Sequence, residues 1–258
     1  MIIIKTDQEI ALMRQSNQLV LDTLAVLAGL MKPGVTTAYL DDVAEKFIRN
    51  HGGIPGFLGY NSYPKTLCTS VNCQVVHGIP SDYILKEGDI VSVDCGVILN
   101  GFYGDSAYTF AVGAVDPQTL RLMQVTKDCL FRGAQEAIEE NRVGDIGNAV
   151  QSYAELNGFS VVREMVGHGL GKKLHEEPEV PNYGKKGSGV KLKRNMVLCI
   201  EPMINFGARN IVQEKDGWTI RTNDRKPSAH YELAVVVGEH SPEILGSFDK
   251  IEENLNTR

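Results

Sequence analysis

Asp94-Cys95-Gly96-Val97-Ile98-Leu99-Asn100-Gly101-Phe102-Tyr103-Gly104-Asp105 places an Asn-Gly pair between two apolar runs, Ile90–Leu99 and Phe102–Phe110. Asn-Gly is a strong local hairpin signal, because both residues tolerate positive φ. A two-residue turn at Asn100-Gly101 pairs Leu99 with Phe102 and puts Gly96 opposite Asp105. Asp94 then lies two places along from Gly96, on the face that carries Asp105, and the two carboxylates become diagonal cross-strand neighbours. Gly96 leaves space beside them. Val91, Val93, Cys95 and Val97 point the other way and read as core. Two facing carboxylates on an apolar hairpin are costly unless something positive sits between them.

Composition narrows the classes. With 258 residues, 43% hydrophobic and 22% charged, the chain is an ordinary globular protein. Its net charge of −6 gives no bulk reason to bind nucleic acid. No apolar run approaches the ~18 residues of a membrane span. Met1-Ile2-Ile3-Ile4-Lys5 is too short for a signal-peptide core. The five cysteines (Cys68, Cys73, Cys95, Cys129, Cys199) are odd in number and scattered, so a reduced, cytoplasmic chain is expected. No obvious interface stands out, and a monomer is expected.

Along the chain, Thr6 and Glu9 form a capping box ahead of a helical stripe from Ile10 to Met31, stopped by Lys32-Pro33-Gly34. A second helix follows Thr36 or Thr37, with Leu40, Val43 and Phe47 inward. A strand is expected over Leu67–Val76. Asp116-Pro117 opens a third helix running to about Glu140, and Val143 to Asn157-Gly158 is a fourth. Phe159–Val166, Met196–Ile200 and Glu232–Val237 read as strands. The order repeats: long helix, short helix, strand, a His-Gly pair, then a strand ending in an acid. Leu85–Asp94 matches Leu192–Glu201, each with a carboxylate nine residues after the leucine, and His77-Gly78 matches His168-Gly169. We therefore expect an α+β fold of one domain, residues 1–258, built from two pseudo-twofold αα-ββ halves, roughly 1–115 and 116–258.

Asp94, Asp105, His168, Glu201 and Glu232 are the chemical candidates, with His77 and His175 close in pattern. Four carboxylates and an imidazole suit two divalent ions of the Mn, Co, Fe or Zn type better than a thiolate zinc site. Two such ions ~3.5–4 Å apart can bridge and deprotonate a water. Spacing alone leaves open that these acids cap helices or lie in solvated turns. Glu201 weighs against that, since it ends the apolar run Met196–Ile200.

Taken together, the motifs resemble type I methionine aminopeptidases. They are Val76-His77-Gly78-Ile79-Pro80, Val93-Asp94-Cys95-Gly96 with Gly101–Asp105, Gly167–Pro178, Ile200-Glu201-Pro202-Met203, Asp216-Gly217-Trp218-Thr219 and Ser228-Ala229-His230-Tyr231-Glu232. The likeness covers nearly the whole chain in order. Glu201 and Glu232 are 31 positions apart, without the insertion of the longer type II enzymes. The resemblance implies the pita-bread fold, a curved antiparallel sheet backed by helices. It implies that Asp94, Asp105, His168, Glu201 and Glu232 bind two divalent ions, with Asp105 and Glu232 bridging. A hydroxide between the ions would attack the first peptide carbonyl of a peptide or nascent chain. Glu201 would shuttle its proton, His175 would stabilise the oxyanion, and His77 would contact the substrate backbone.

The same resemblance lines a methionine pocket with Tyr60, Tyr63, Cys68 and Trp218, where aromatics and a thiol suit a thioether. Phe57 stands where well-known bacterial relatives have cysteine, and Leu174 where they have phenylalanine, so pocket volume is exchanged between two positions. His230 replaces a frequent glutamine and is expected beside Glu232 or on the surface. Asn72, Gln74 and Ser228 match a monovalent-cation region. The basic run Lys185-Lys186 to Lys191-Leu192-Lys193-Arg194 reads as a solvated loop, or as a transient ribosome contact. A proline-specific peptidase of the same fold and a non-catalytic binding module are the alternatives.

Overall fold

The computed structural model describes residues 1–256. Thr6 Oγ1 accepts the Glu9 N–H at 3.2 Å and the Glu9 carboxylate accepts the Thr6 N–H at 3.0 Å, closing the capping box of α1 (Asp7–Ala28). The helix stops before Met31, which is buried all the same. Thr36 caps α2 (Thr37–Asn50) through the Tyr39 N–H. Its buried face is Leu40, Ala44 and Ile48, while Val43 and Phe47 are half-buried, so the inward stripe is rotated from the expected one. No helix among the described residues is long and apolar enough to cross a membrane.

β1 (Ile54–Pro55) leads to a 3-10 turn at Tyr60–Ser62. The single strand expected over 67–76 is two, β2 (Leu67–Val71) and β3 (Gln74–Val76), because Asn72 turns the chain at φ 53°. β4 (Ile90–Leu99) and β5 (Phe102–Ala111) form the hairpin, with Asn100 at φ 54° and Gly101 at φ 79°. Its register is the expected one: Leu99 pairs with Phe102, Gly96 with Asp105 and Asp94 with Ala107.

Asp116 Oδ1 accepts the Gln118 and Thr119 N–H groups and starts α3 (Pro117–Gln135). This helix ends five residues before Glu140, because the Glu139 N–H bonds instead to the Gly238 carbonyl at 2.7 Å. A tertiary hydrogen bond outcompetes the next turn of helix. α4 (Val143–Leu156) ends near Gly158 at φ 83°. Of the strand expected over 159–166, only β6 (Ser160–Val161) forms, since its partner β10 (Met203–Asn205) is three residues long. The remaining elements are β7 (Gly167–Gly169), β8 (Glu176–Val180), β9 (Val197–Ile200), β11 (Ile211–Gln213), β12 (Ile220–Thr222), β13 (Ser228–His230), β14 (Glu232–Val236), β15 (Glu243–Ile244) and α5 (Asp249–Asn256).

A nine-stranded sheet runs β1-β4-β5-β14-β9-β7-β8, with β2 also paired to β4 and β15 to β14, and every pairing antiparallel. Two three-stranded sheets, β13-β10-β6 and β11-β12-β3, flank it. Gly104 of β5 meets α1 so closely that a Cβ would lie 2.4 Å from the Ser16 backbone. A Cβ at Gly133 of α3 would lie 3.3 Å from Ile200 Cγ2 of β9. One face of the sheet is thereby covered by helices, and Val91, Val93, Cys95, Val97, Leu198, Ile200, Leu233 and Val235 fill that core. The seam between the earlier and later parts of the chain is β5 against β14, where Glu232 pairs with Ala107 and Leu233 with Ser106.

Candidate metal centre and its cleft

Strand register brings the acids together. Residues directly paired across a sheet share a face. Asp94 pairs with Ala107, and Ala107 pairs on its other side with Glu232. Two carboxylates therefore flank one methyl, and Asp105 lies two residues along on the same face. Leu233 pairs with Ile200, so the next step of that ladder sets Glu201 across from Glu232. His168 arrives from β7, which pairs with β9. Its Nε2 lies 3.7 Å from Asp105 Oδ2 and 3.6 Å from Glu201 Oε1.

The backbone of this cluster is pinned. The Asp105 N–H donates to Asn17 Oδ1 of α1 at 3.2 Å, and the Ser106 hydroxyl donates to the Glu232 carbonyl at 2.6 Å. Asn182 Nδ2 donates to the Glu201 carbonyl at 2.9 Å. Asn182 carried no sequence signal, because an asparagine after a proline reads only as a turn.

Electrostatically the cluster is strained. Burial first, and then the neighbouring acids, push Asp105 and Glu232 well above the usual carboxylate range, and burial and Asp94 do the same to Glu201. Burial raises Asp94 to about 6. Asp94 Oδ1, Asp105 Oδ1 and Glu232 Oε1 are buried without a hydrogen-bond partner among the described residues. Such groups are costly unless a cation pairs them.

His168 adds a donor of the kind a metal ion takes. Burial lowers it to about 3, so the ring is neutral. Its Nδ1 lies 3.0 Å from the Gly169 carbonyl, which can only accept, so Nδ1 carries the proton. The Nε2 lone pair is thereby aimed at Asp105 and Glu201, the arrangement of an imidazole ligand held by an outer hydrogen bond. Donor atoms of Asp105, His168, Cys199 and Glu232 lie within 4.8 Å of one another, and so do those of Glu201, His230 and Glu232. Burial and the acids raise the Cys199 thiol well above its usual range, so it stays protonated and acts as a small buried side chain.

A cavity of about 210 Å³ opens onto Asp94, Asp105, His168, Glu201 and Glu232. Phe57, Tyr60, Asn61, Tyr63, Cys68, His77, Leu174, His175 and Trp218 complete its lining. The Tyr63 ring meets Trp218 edge-on at 5.0 Å, and its hydroxyl faces the Leu67 and Gly78 carbonyls at 3.0 and 3.1 Å. His77 is held at φ 60°, a strained conformation for a non-glycine residue, and burial lowers it to about 4. His175 stands at the exposed mouth, its ring centroid 4.3 Å from that of His168, and partial burial lowers it too.

Residues 11–239 match the model of metallopeptidase family M24. This chain belongs to metallopeptidase family M24. Within the family it is similar to methionine aminopeptidases. That of Clostridium perfringens is 51% identical over 245 residues, which span 95% of this chain and 98% of that protein. The crystal structure of methionine aminopeptidase from Rickettsia prowazekii matches with a TM-score of 0.94 at 43% identity, over 95% of this chain and 99% of that one. X-Pro aminopeptidase from Thermotoga maritima shares the fold at 18% identity, with a TM-score of 0.75 over 95% of this chain and 62% of that one. The pita-bread architecture is therefore that of this M24 chain.

The twelve residues given metal, catalytic or substrate-pocket roles in the sequence line this one cavity. Asn61 and Leu174 line it as well. Asn61 was missed, and its position in a Gly-Tyr-Asn-Ser turn at φ 45° signals only a loop. One expectation is corrected. The space beside Gly96 is not left open to the acids, because the Phe57 ring fills it, and a Cβ at Gly96 would lie 2.4 Å from Phe57 Cε1. Of the two places expected for His230, the structure gives the one beside Glu232: the residue is 1% exposed, with Nε2 3.5 Å from Glu201 Oε2.

Asn72, Gln74 and Ser228 do converge. The Ser228 N–H donates to the Asn72 carbonyl at 2.9 Å and the Val71 N–H to Gln74 Oε1 at 2.8 Å. In the basic run, Lys191 pairs with Glu140 at 2.6 Å and Arg194 with Glu239 at 3.5 Å, as in a solvated loop.

Proposed function

We propose that this M24 chain is a metal-dependent methionine aminopeptidase holding two divalent ions, and that it releases the first residue of peptides and nascent chains. One observation carries the reading. Asp94, Asp105, His168, Glu201 and Glu232 crowd the wall of a cavity whose remaining lining is mostly aromatic, with Cys68, Leu174 and Asn61. Four carboxylates balance the charge of two divalent cations. When bound, such ions lower the pKa of water and polarise the scissile carbonyl.

The protein groups supply the rest. Tyr63, Cys68, Trp218 and Phe57 enclose an unbranched thioether side chain, which fills irregular apolar space. Glu201 is within the donor cluster and beside the cavity, placed to take a proton from the attacking water and pass it to the leaving amine. We assign the proton of the Tyr60–His175 hydrogen bond, 2.7 Å, to the phenol. His175 then accepts at Nδ1 and presents an Nε2–H to the developing oxyanion. His77, on the cavity wall 6.3 Å from Trp218 by ring centroids, meets the peptide backbone.

We take residues 1–258 to be one catalytic domain and the protein to work as a cytoplasmic monomer. The Lys185–Arg194 run is the surface available for a transient ribosome contact, and the Asn72–Ser228 corner is the place for a monovalent cation.

A panel of Met-X-Met-Ser peptides, with X from Gly to Leu and with Leu-Pro and Ala-Pro controls, tests the reading. It is run on metal-free protein and with added Mn, Co, Fe or Zn. Metal-dependent release of Met when X is small is the expected result. Cleavage of the X-Pro controls alone would assign the chain to the proline-specific peptidases. Metal binding without any cleavage would mark it as a binding module.

A further inference from the structure

His230 belongs to no role assigned so far, yet it is the buried imidazole nearest the general base. Only 1% of it is exposed, and Nε2 has no hydrogen-bond partner among the described residues. Buried ring nitrogens are seldom left unpaired. The ring has little freedom to retreat. The His230 N–H donates to Thr109 Oγ1 at 3.0 Å and the Thr109 hydroxyl donates to the His230 carbonyl at 2.7 Å. Pairing with Met203 of β10 holds the residue from the other side.

Distance separates two kinds of partner. A charge-assisted N–H···O⁻ bond spans ~2.7–2.9 Å. His230 Nε2 lies 3.5 Å from Glu201 Oε2. His168 Nε2 lies 3.6 Å from Glu201 Oε1 and 3.7 Å from Asp105 Oδ2. Two donors each ~2.1 Å from one ion, subtending roughly 90–120°, lie ~3.0–3.6 Å apart. His230 thus stands to Glu201 as His168 does, at the spacing of donors that share an ion. The donors also sort into two clusters joined at Glu232, one with His168 and Asp105, the other with His230 and Glu201.

We propose that His230 is a sixth donor of the metal set, binding through Nε2 an ion that Glu201 also holds. This rests on the metallopeptidase reading above. The set then carries two imidazoles rather than one, which favours borderline ions such as Co, Fe or Zn over Mn.

The test is the proton NMR spectrum of Co(II)-loaded protein in ordinary water, where each ligating imidazole shows one strongly shifted N–H signal. The wild-type protein is expected to show two, from His168 and His230. His230→Gln is expected to show one and to bind Co(II) at least about tenfold more weakly in a calorimetric titration. His77→Asn and His175→Asn are expected to keep both signals, which assigns the second one even if His230→Gln does not fold. A single shifted signal in wild-type protein that takes up Co(II) would overturn the sixth donor and leave the metallopeptidase reading intact. Two signals persisting in His230→Gln would overturn the sixth donor equally. Failure to take up Co(II) at all would overturn both.

Discussion

The Tyr60 hydroxyl lies 2.7 Å from Nδ1 of His175. Their rings meet edge-on at 5.3 Å, and the His175 ring meets His168 in turn at 4.3 Å. With the proton assigned to the phenol, as proposed above, Tyr60 fixes which nitrogen of His175 is protonated. Tyr60→Phe removes that control while keeping the ring. We expect kcat to fall ~10-fold with KM nearly unchanged, against ~10²–10³ for His175→Ala, the range for losing one oxyanion donor. Steady-state kinetics on a Met-Ala peptide decide. A change confined to KM in either variant would remove His175 from the transition state.

Glu201 is raised well above the usual carboxylate range by burial and by Asp94. Glu201→Gln keeps the shape and removes the proposed base. Turnover is expected to drop ~10²–10⁴-fold, as for loss of general acid–base catalysis. Metal content measured alongside separates lost chemistry from a lost ligand. Near-wild-type turnover with metal bound would refute the assignment.

Metal removal and pH are linked. In the metal-free fold, an acid with a raised pKa keeps its proton where the unfolded chain has lost it, so Asp94, Asp105, Glu201 and Glu232 lower stability as pH rises through their window. For Asp94 that window runs from 3.8 to about 6. The buried histidines are lowered, His77 to about 4 and His168 to about 3, so they act in the opposite sense and lose stability as pH falls below 6.5. The two sets offset each other, and the metal-dependent difference is the cleaner readout. Bound ions need the acids deprotonated, whereas His168 hardly competes for protons. At ~100 times Kd, metal contributes ~2.7 kcal/mol, or ~5–10 °C in Tm for a chain of this size. This gain is expected in full at pH 8 and to shrink as pH falls through 6, measured by thermal melts with and without Co(II). A gain unchanged down to pH 5 would contradict carboxylate ligation.

Phe57 sets the floor of the cavity against Gly96. Phe57→Ala is expected to admit bulkier first residues and to raise KM for Met peptides about tenfold, since truncating a buried aromatic forfeits its packing. Phe57→Cys combined with Leu174→Phe moves volume across the cavity and is expected to restore the narrow preference. A peptide panel varying the first residue checks both. If Phe57→Ala leaves selectivity unchanged, the ring is not a wall of the substrate pocket.

Much of this protein is legible in short segments. Thr6 with Glu9, Asp116 before Pro117, and Asn100-Gly101 each act on neighbours within four residues, and each does what its local chemistry requires. The illegible parts are those in which distant chain competes. α3 yields Glu139 to the Gly238 carbonyl, and β6 is only as long as β10 allows. Asn182 reaches Glu201 with no pattern to announce it. His230 alternates with Glu232 along the chain, but its burial depends on Thr109 and Met203, both remote in sequence.

By itself, the sequence determined the hairpin, the face that Asp94 and Asp105 share, and the residue types of a candidate metal site. A side-chain period of two and a turn with positive φ are local properties, and they leave one register. Only the tertiary structure decided that β14 inserts between β5 and β9, which sets Glu232 beside Ala107 and across from the position of Glu201. It also decided that Phe57 fills the gap at Gly96 and that His230 faces Glu201. Strand order and the filling of space are settled by which packing buries the whole apolar face at once, and no short window of sequence contains that sum.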